Sequence, residues 1–169
     1  IRARMLERVA IPGVDRAVTR KDLIGVALNV GTESNYDKLL KGMGWTPEQV
    51  QDMVDRLTPD DIAFVNSVHA TLESMWPDIA KLQKELTGLE PDKVEARAFP
   101  AKGGTITGGY YPIMYDPLAS QQGQLQLASR VGGLLDDSYT RATTPKGHTK
   151  ARVTGFAAPF NLDIDDLTG

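Results

Sequence analysis

One apolar stripe constrains the fold of this chain more than any other feature. Ile62, Val65, His69, Leu72, Trp76 and Ile79 recur at steps of three and four, and Leu82 and Leu86 continue the series. That period places the side chains on one side of a helix spanning 59–87. Phe64, Val68 and Met75 widen the stripe, which predicts a central helix buried on more than one flank. Pro77 interrupts it. Proline lacks a backbone N–H and clashes with the preceding turn, so the helix kinks there or restarts with Pro77 in its first turn. Gly88 then supplies a left-handed stop.

The remaining helices are announced by their starts. Thr46–Pro47–Glu48–Gln49 combines an N-cap hydroxyl, a proline in the first turn and a glutamine three residues on. Thr58–Pro59–Asp60–Asp61 repeats the device twelve residues later. Thr19 with Asp22 predicts an earlier helix carrying Leu23, Ile24, Ala27 and Leu28, closed by Gly31. Ser34 with Asp37 predicts another, closed by Gly42 or Gly44. Residues 2–9 are expected as a short helix ended by Ile11–Pro12–Gly13.

After Gly88 the pattern changes. Val94, Ala96 and Ala98 alternate with Glu95 and Arg97, which predicts a strand over 93–99. The glycines of Lys102–Gly109 then turn the chain into an extended piece, giving a small hairpin within 93–115. Ser120 opens an expected helix to Asp137, and 150–157 reads as a further strand after the Thr143–Gly147 turn. The expected architecture is mainly α with a small β-hairpin, an irregular helical domain over 1–137 built round the Pro-kinked helix. An irregular arm follows over 138–169.

Composition narrows the classes. Of the 169 residues 41% are hydrophobic and 24% charged, which fits a globular domain and excludes a disordered or collagen-like chain. Without cysteine there is no disulfide, thiolate nucleophile or cysteine zinc site. No apolar run is long enough for a transmembrane helix, so no membrane insertion by this segment is expected. Arg2, Arg4, Glu7 and Arg8 interrupt any apolar stretch of the kind a secretory leader needs. The start at Ile1 and the end just after an acidic run lead us to expect a segment of a longer polypeptide. The net charge of −3 is not the basic profile of a dedicated nucleic-acid binder, and the four Lys/Arg against eleven Asp/Glu of residues 46–96 read as a solvated acidic face and not as a metal store.

The candidate constellations for chemistry are sparse. His69 and Glu73 have the i, i+4 spacing of a metal pair, but nothing nearby completes the ligand set and His69 lies on the apolar stripe. A hydrogen-bonded core histidine is the expected reading. Lys102 precedes its glycines, the reverse of a P-loop, and Asp163–Gly169 lacks the glycine of a calcium loop. No catalytic residue, metal or cofactor is therefore assigned. Arg141, Lys146, His148, Lys150 and Arg152 form a basic stretch without an acidic residue, preceded by Tyr139; a solvated loop is the leading reading, and a stretch that grips phosphates is the alternative.

Several phrases then stand in a familiar order. Lys21–Asp22–Leu23–Ile24, Ala27–Leu28–Asn29, Asn35, Leu57–Thr58–Pro59–Asp60–Asp61 and Trp76–Pro77 lead to Gly108–Gly109–Tyr110–Tyr111–Pro112–Ile113–Met114–Tyr115–Asp116. Gly147–His148–Thr149–Lys150–Ala151–Arg152 completes the series. Together they resemble a segment of the very large polyvalent proteins of tailed phages and prophages, over roughly residues 20–155. The resemblance implies a multidomain, virion-associated context, in the virion or the bacterial host cytoplasm, and attaches no chemistry to the Gly-Gly-Tyr-Tyr-Pro phrase.

The leading expectation is a non-enzymatic interaction or structural module that docks onto neighbouring domains or subunits of a large phage protein. Trp76, Tyr110, Tyr111 and Tyr115 are the first choices for buried anchors, because aromatic side chains dominate interface energetics. The alternative for the same four is that they fill the domain's own core. A second expectation is a DNA-binding accessory domain using the 141–152 arm. A third is a hydrolase of unknown substrate that pairs His148 with a carboxylate.

Overall fold

Among the described residues five helices follow one another between Arg20 and Thr87, and at three of them the start is fixed by a reciprocal side-chain cap. The computed structural model describes residues 6–89, 92–116, 159–162 and 164. Helices α1 (Arg20–Asn29), α3 (Pro47–Asp55) and α4 (Pro59–Ser74) open on Thr19, Thr46 and Thr58. Each threonine hydroxyl accepts the backbone N–H three residues on. The side chains of Asp22, Gln49 and Asp61 in turn accept the threonine N–H at 2.8, 2.9 and 2.9 Å. Two backbone donors that helix geometry leaves orphaned are thereby satisfied at each start. Helix α2 (Glu33–Met43) is capped by Thr32, not by the expected Ser34, because the Thr32 hydroxyl is the group that meets the Asn35 N–H. Gly44 ends it in the left-handed conformation, at φ 67°.

The core is centred on α1, where every residue from Leu23 to Asn29 is buried. Helices α2, α3 and α4 surround it. Val50, Met53 and Val54 of α3 and Ile62 and Val65 of α4 complete the apolar interior with Leu39 of α2. Arg20, at the first turn of α1, ties two helix starts together. Its guanidinium pairs with Asp61 at 2.7 Å and donates to the Thr58 hydroxyl at 3.1 Å.

The stripe over 59–87 divides at Met75. Helix α4 ends at Ser74 and α5 (Trp76–Thr87) restarts with Pro77 in its first turn, the site where a missing N–H costs no helical bond. The expected central burial holds only for α4. No residue of α5 is buried, so the second half of the stripe is not part of this domain's core.

Two antiparallel ribbons complete the described fold. Strands β1 (Arg8–Val9) and β2 (Val18–Thr19) pair where a helix over 2–9 was expected; the described part of that stretch is a turn and a strand. The hairpin expected within 93–115 lies there, but its first strand begins at Phe99 and does not cover 93–98. Strands β3 (Phe99–Ala101) and β4 (Gly104–Ile106) pair with Phe99 opposite Ile106 across the Lys102–Gly103 turn. Phe99 and Ile106 are the two residues of this hairpin that enter the core, and they set its register.

Near the C-terminus Phe160, Leu162 and Ile164 insert three buried side chains at alternate positions. Tyr115 bridges to Phe160, and the Asn161 N–H donates to the Met114 carbonyl at 2.7 Å. The arm expected over 138–169 thus reaches the core at its described positions. The helix expected over 120–137, the turn at 143–147 and the strand at 150–157 lie outside the described residues.

Candidate functional site

The break at Met75 carries the second half of the stripe away from the core and into solvent. Met75 is 50% exposed, Leu82 57% and Leu86 65%, and Leu89 just past the helix end is 71% exposed. Trp76, Ile79, Ala80 and Gln83 are half-buried and mark the side of α5 that turns toward the rest of the domain. Met75, Ile79, Leu82 and Leu86 therefore form a continuous apolar row with one edge against the domain and the other open. A soluble chain exposes single apolar side chains without consequence, but an aligned row of them marks a contact surface.

At the foot of α5, Trp76, Ile79 and Tyr110 line a small apolar cavity of about 60 Å³ with Leu72 and Val94. The fold thus brings together two of the four expected anchors. Tyr111 is half-buried and packs on the core, and its carbonyl accepts from Asn35 Nδ2 at 2.8 Å. Tyr115 is 6% exposed and meets the Phe160 ring edge-on at a centroid separation of 5.6 Å. Tyr115 consequently fills the domain's own core and is not a surface anchor.

Beside this face an open cleft of about 470 Å³ runs between α4 and the segments 93–96 and 107–109. His69 contributes to its floor, and Glu73 and Lys93 form an ion pair across it. His69 is 1% exposed, and its Nε2–H donates to the Leu28 carbonyl at 3.1 Å, an oxygen that only accepts. Nδ1 is then a buried acceptor with no partner among the described residues. Burial holds the imidazole below its ordinary pKa, opposed in part by the Leu28 hydrogen bond. Two glycines close over the ring. A Cβ at Gly31 would lie 2.8 Å from His69 Cε1, and one at Gly109 would lie 2.9 Å from His69 Cβ. The Gly31 carbonyl accepts N–H groups from Arg97 at 2.8 Å and from Gly109 at 2.9 Å, which locks the 97–109 segment onto the end of α1.

These contacts make His69 a packing and hydrogen-bonding residue. Its i, i+4 neighbour Glu73 is engaged by Lys93, and no group of three or more potential metal ligands occurs among the described residues. The basic set Arg141, Lys146, His148, Lys150 and Arg152 lies outside the described residues. Sequence reasoning missed Arg20 as the tie between α1 and α4; the Thr58–Asp61 cap marked its partner, but nothing local marked the pairing.

Comparison of the chain with protein-family models, curated proteins and solved structures returned no match. No helix among the described residues is long and apolar enough to cross a membrane.

Proposed function

We propose that this chain is a non-enzymatic interaction module that docks through the open apolar row of α5 onto a neighbouring domain or subunit of a larger assembly. The observation that carries the reading is that a twelve-residue helix, with Ile79, Leu82 and Leu86 in line with Met75 at its cap, has no fully buried residue. Leaving such side chains in water forgoes about 1.5–3 kcal/mol for each that is fully buried elsewhere. A partner surface recovers that free energy. The small cavity between Trp76 and Tyr110 lies at the foot of the same row and extends the contact surface toward an aromatic pair.

The resemblance of the Gly108–Asp116 phrase and its companions to phage polyvalent proteins supports the context of a large virion-associated polypeptide with many neighbouring domains. A photo-crosslinking amino acid placed at Leu86, with Lys81 on another side of α5 as the control, tests the reading in the cells that naturally make the protein. Adducts to one identified polypeptide at Leu86 and not at Lys81 are expected. Equal labelling at both positions, or none at either, overturns the proposal.

A further inference from the structure

We infer that the occupant of the α5 row is a second α-helix whose own aliphatic seam is flanked by lysine or arginine. This rests on the docking reading above and adds the chemistry of the partner. Met75, Ile79, Leu82 and Leu86 are spaced four, three and four residues apart. That is the d, a, d, a order of a heptad, and side chains so placed form a narrow seam that interlocks with the matching seam of another helix. A partner strand or flat surface would be met better by a broader face.

The flanks of the seam differ. On the domain side stand Trp76 and Gln83, half-buried against the chain's own body. On the open side stand Asp78 and Glu85, both exposed and neither with an ion-pair partner among the described residues. Lys81 lies further round the helix and Lys84 on the far side, so the edge that an incoming helix meets first is acidic. Helix α5 is about 18 Å long at 1.5 Å per residue, which offers under two heptads of seam. Over so short a contact, flanking charges contribute a large share of the selectivity.

A second copy of this chain fits less well. An antiparallel pair of α5 helices brings Asp78 and Glu85 of one copy against the same carboxylates of the other. A parallel pair directs each acidic flank toward the partner's Trp76–Gln83 flank, which its own domain already occupies.

The test titrates two synthetic three-heptad helical peptides into the full chain and follows binding by fluorescence anisotropy. Both peptides carry leucine at the seam positions; one has lysine and the other glutamate at the flanks. The lysine-flanked peptide is expected to bind about 10-fold or more tightly than the glutamate-flanked one, with the difference shrinking as salt rises. The exposed pair Asp78→Lys/Glu85→Lys is expected to reverse the preference, and Leu82→Glu/Leu86→Glu to abolish binding of both. Circular dichroism verifies that the variants keep their helix content. Equal affinity for the two peptides, or a preference that the charge reversal leaves untouched, overturns the basic-flank assignment while leaving a docking face in place. Failure of both peptides to bind overturns the helical partner. Concentration-dependent dimerisation of the chain that Leu82→Glu/Leu86→Glu removes makes the occupant a second copy and overturns the inference. A protected α5 in the free chain, released only when residues 117–158 are cleaved, assigns the row to the chain itself and also overturns it.

Discussion

The backbone of Leu162 crosses α1 directly over Gly25. A Cβ on Gly25 would lie 2.6 Å from the Leu162 carbonyl oxygen and 3.1 Å from the Leu162 side chain. Alanine in a helix interior is ordinarily worth about 1 kcal/mol over glycine. Here the added methyl meets a backbone atom that cannot rotate away, so overpacking at roughly 1–3 kcal/mol prevails. Gly25→Ala is expected to lower stability in urea unfolding, and a stabilised variant would show that the C-terminal segment does not lie there.

Asp61 is 7% exposed, and removing the guanidinium of Arg20 takes away its charge partner. Stripping one member of such a pair costs about 3 kcal/mol, because the remaining charge stays largely desolvated. Arg20→Ala is expected to lose about that much by chemical denaturation. Arg20→Lys is expected to recover only part of it, since an ammonium lacks the geometry to reach both Asp61 and Thr58.

Burial lowers the pKa of His69 in the folded state, so the unfolded chain binds the proton more readily. Stability is therefore full above the unfolded value near 6.5 and falls as the pH drops through it. The loss is expected to set in between pH 7 and 5.5, before most carboxylates titrate. His69→Gln is expected to flatten this interval, whatever it does to stability at neutral pH. A wild-type slope that survives in the variant would place the titrating group elsewhere.

The core helix α1 and the open row of α5 are expected to respond differently to truncation. Leu28→Ala, at a fully buried position of α1, is expected to cost about 2–5 kcal/mol. Leu86→Ala, on the open row of α5, is expected to stay within roughly 0.5 kcal/mol. Thermal or urea unfolding of the two variants distinguishes this arrangement from one in which residues 59–87 form the central helix.

The helix starts were legible because a cap is local: Thr46 and Gln49, or Thr58 and Asp61, carry the whole interaction within four residues. That α1 takes the central place was not legible for a related reason. Periodicity reports a helix buried on one side, whereas Leu23–Asn29 is apolar almost all round and shows little of it. The stripe over 59–87 is the more regular pattern and was read as the more central one. Whether a chain covers its own apolar row is decided by distant segments, so the exposure of Leu82 and Leu86 could not be read from their spacing. The aromatic candidates divide in the same way. Tyr115 pairs with Phe160, forty-five residues away, while Trp76 and Tyr110 line one small cavity beside the break that Pro77 announced.

Amide hydrogen exchange measures directly whether α5 is an open docking row. In the isolated chain the amides of 76–87 are expected to exchange much faster than those of Leu23–Asn29, which sit in the core. On adding the polypeptide identified by crosslinking at Leu86, exchange over 76–87 is expected to slow by about 10-fold or more while the α1 amides stay unchanged. Exchange over 76–87 that is already as slow as in α1, or that ignores the added partner, would contradict the account.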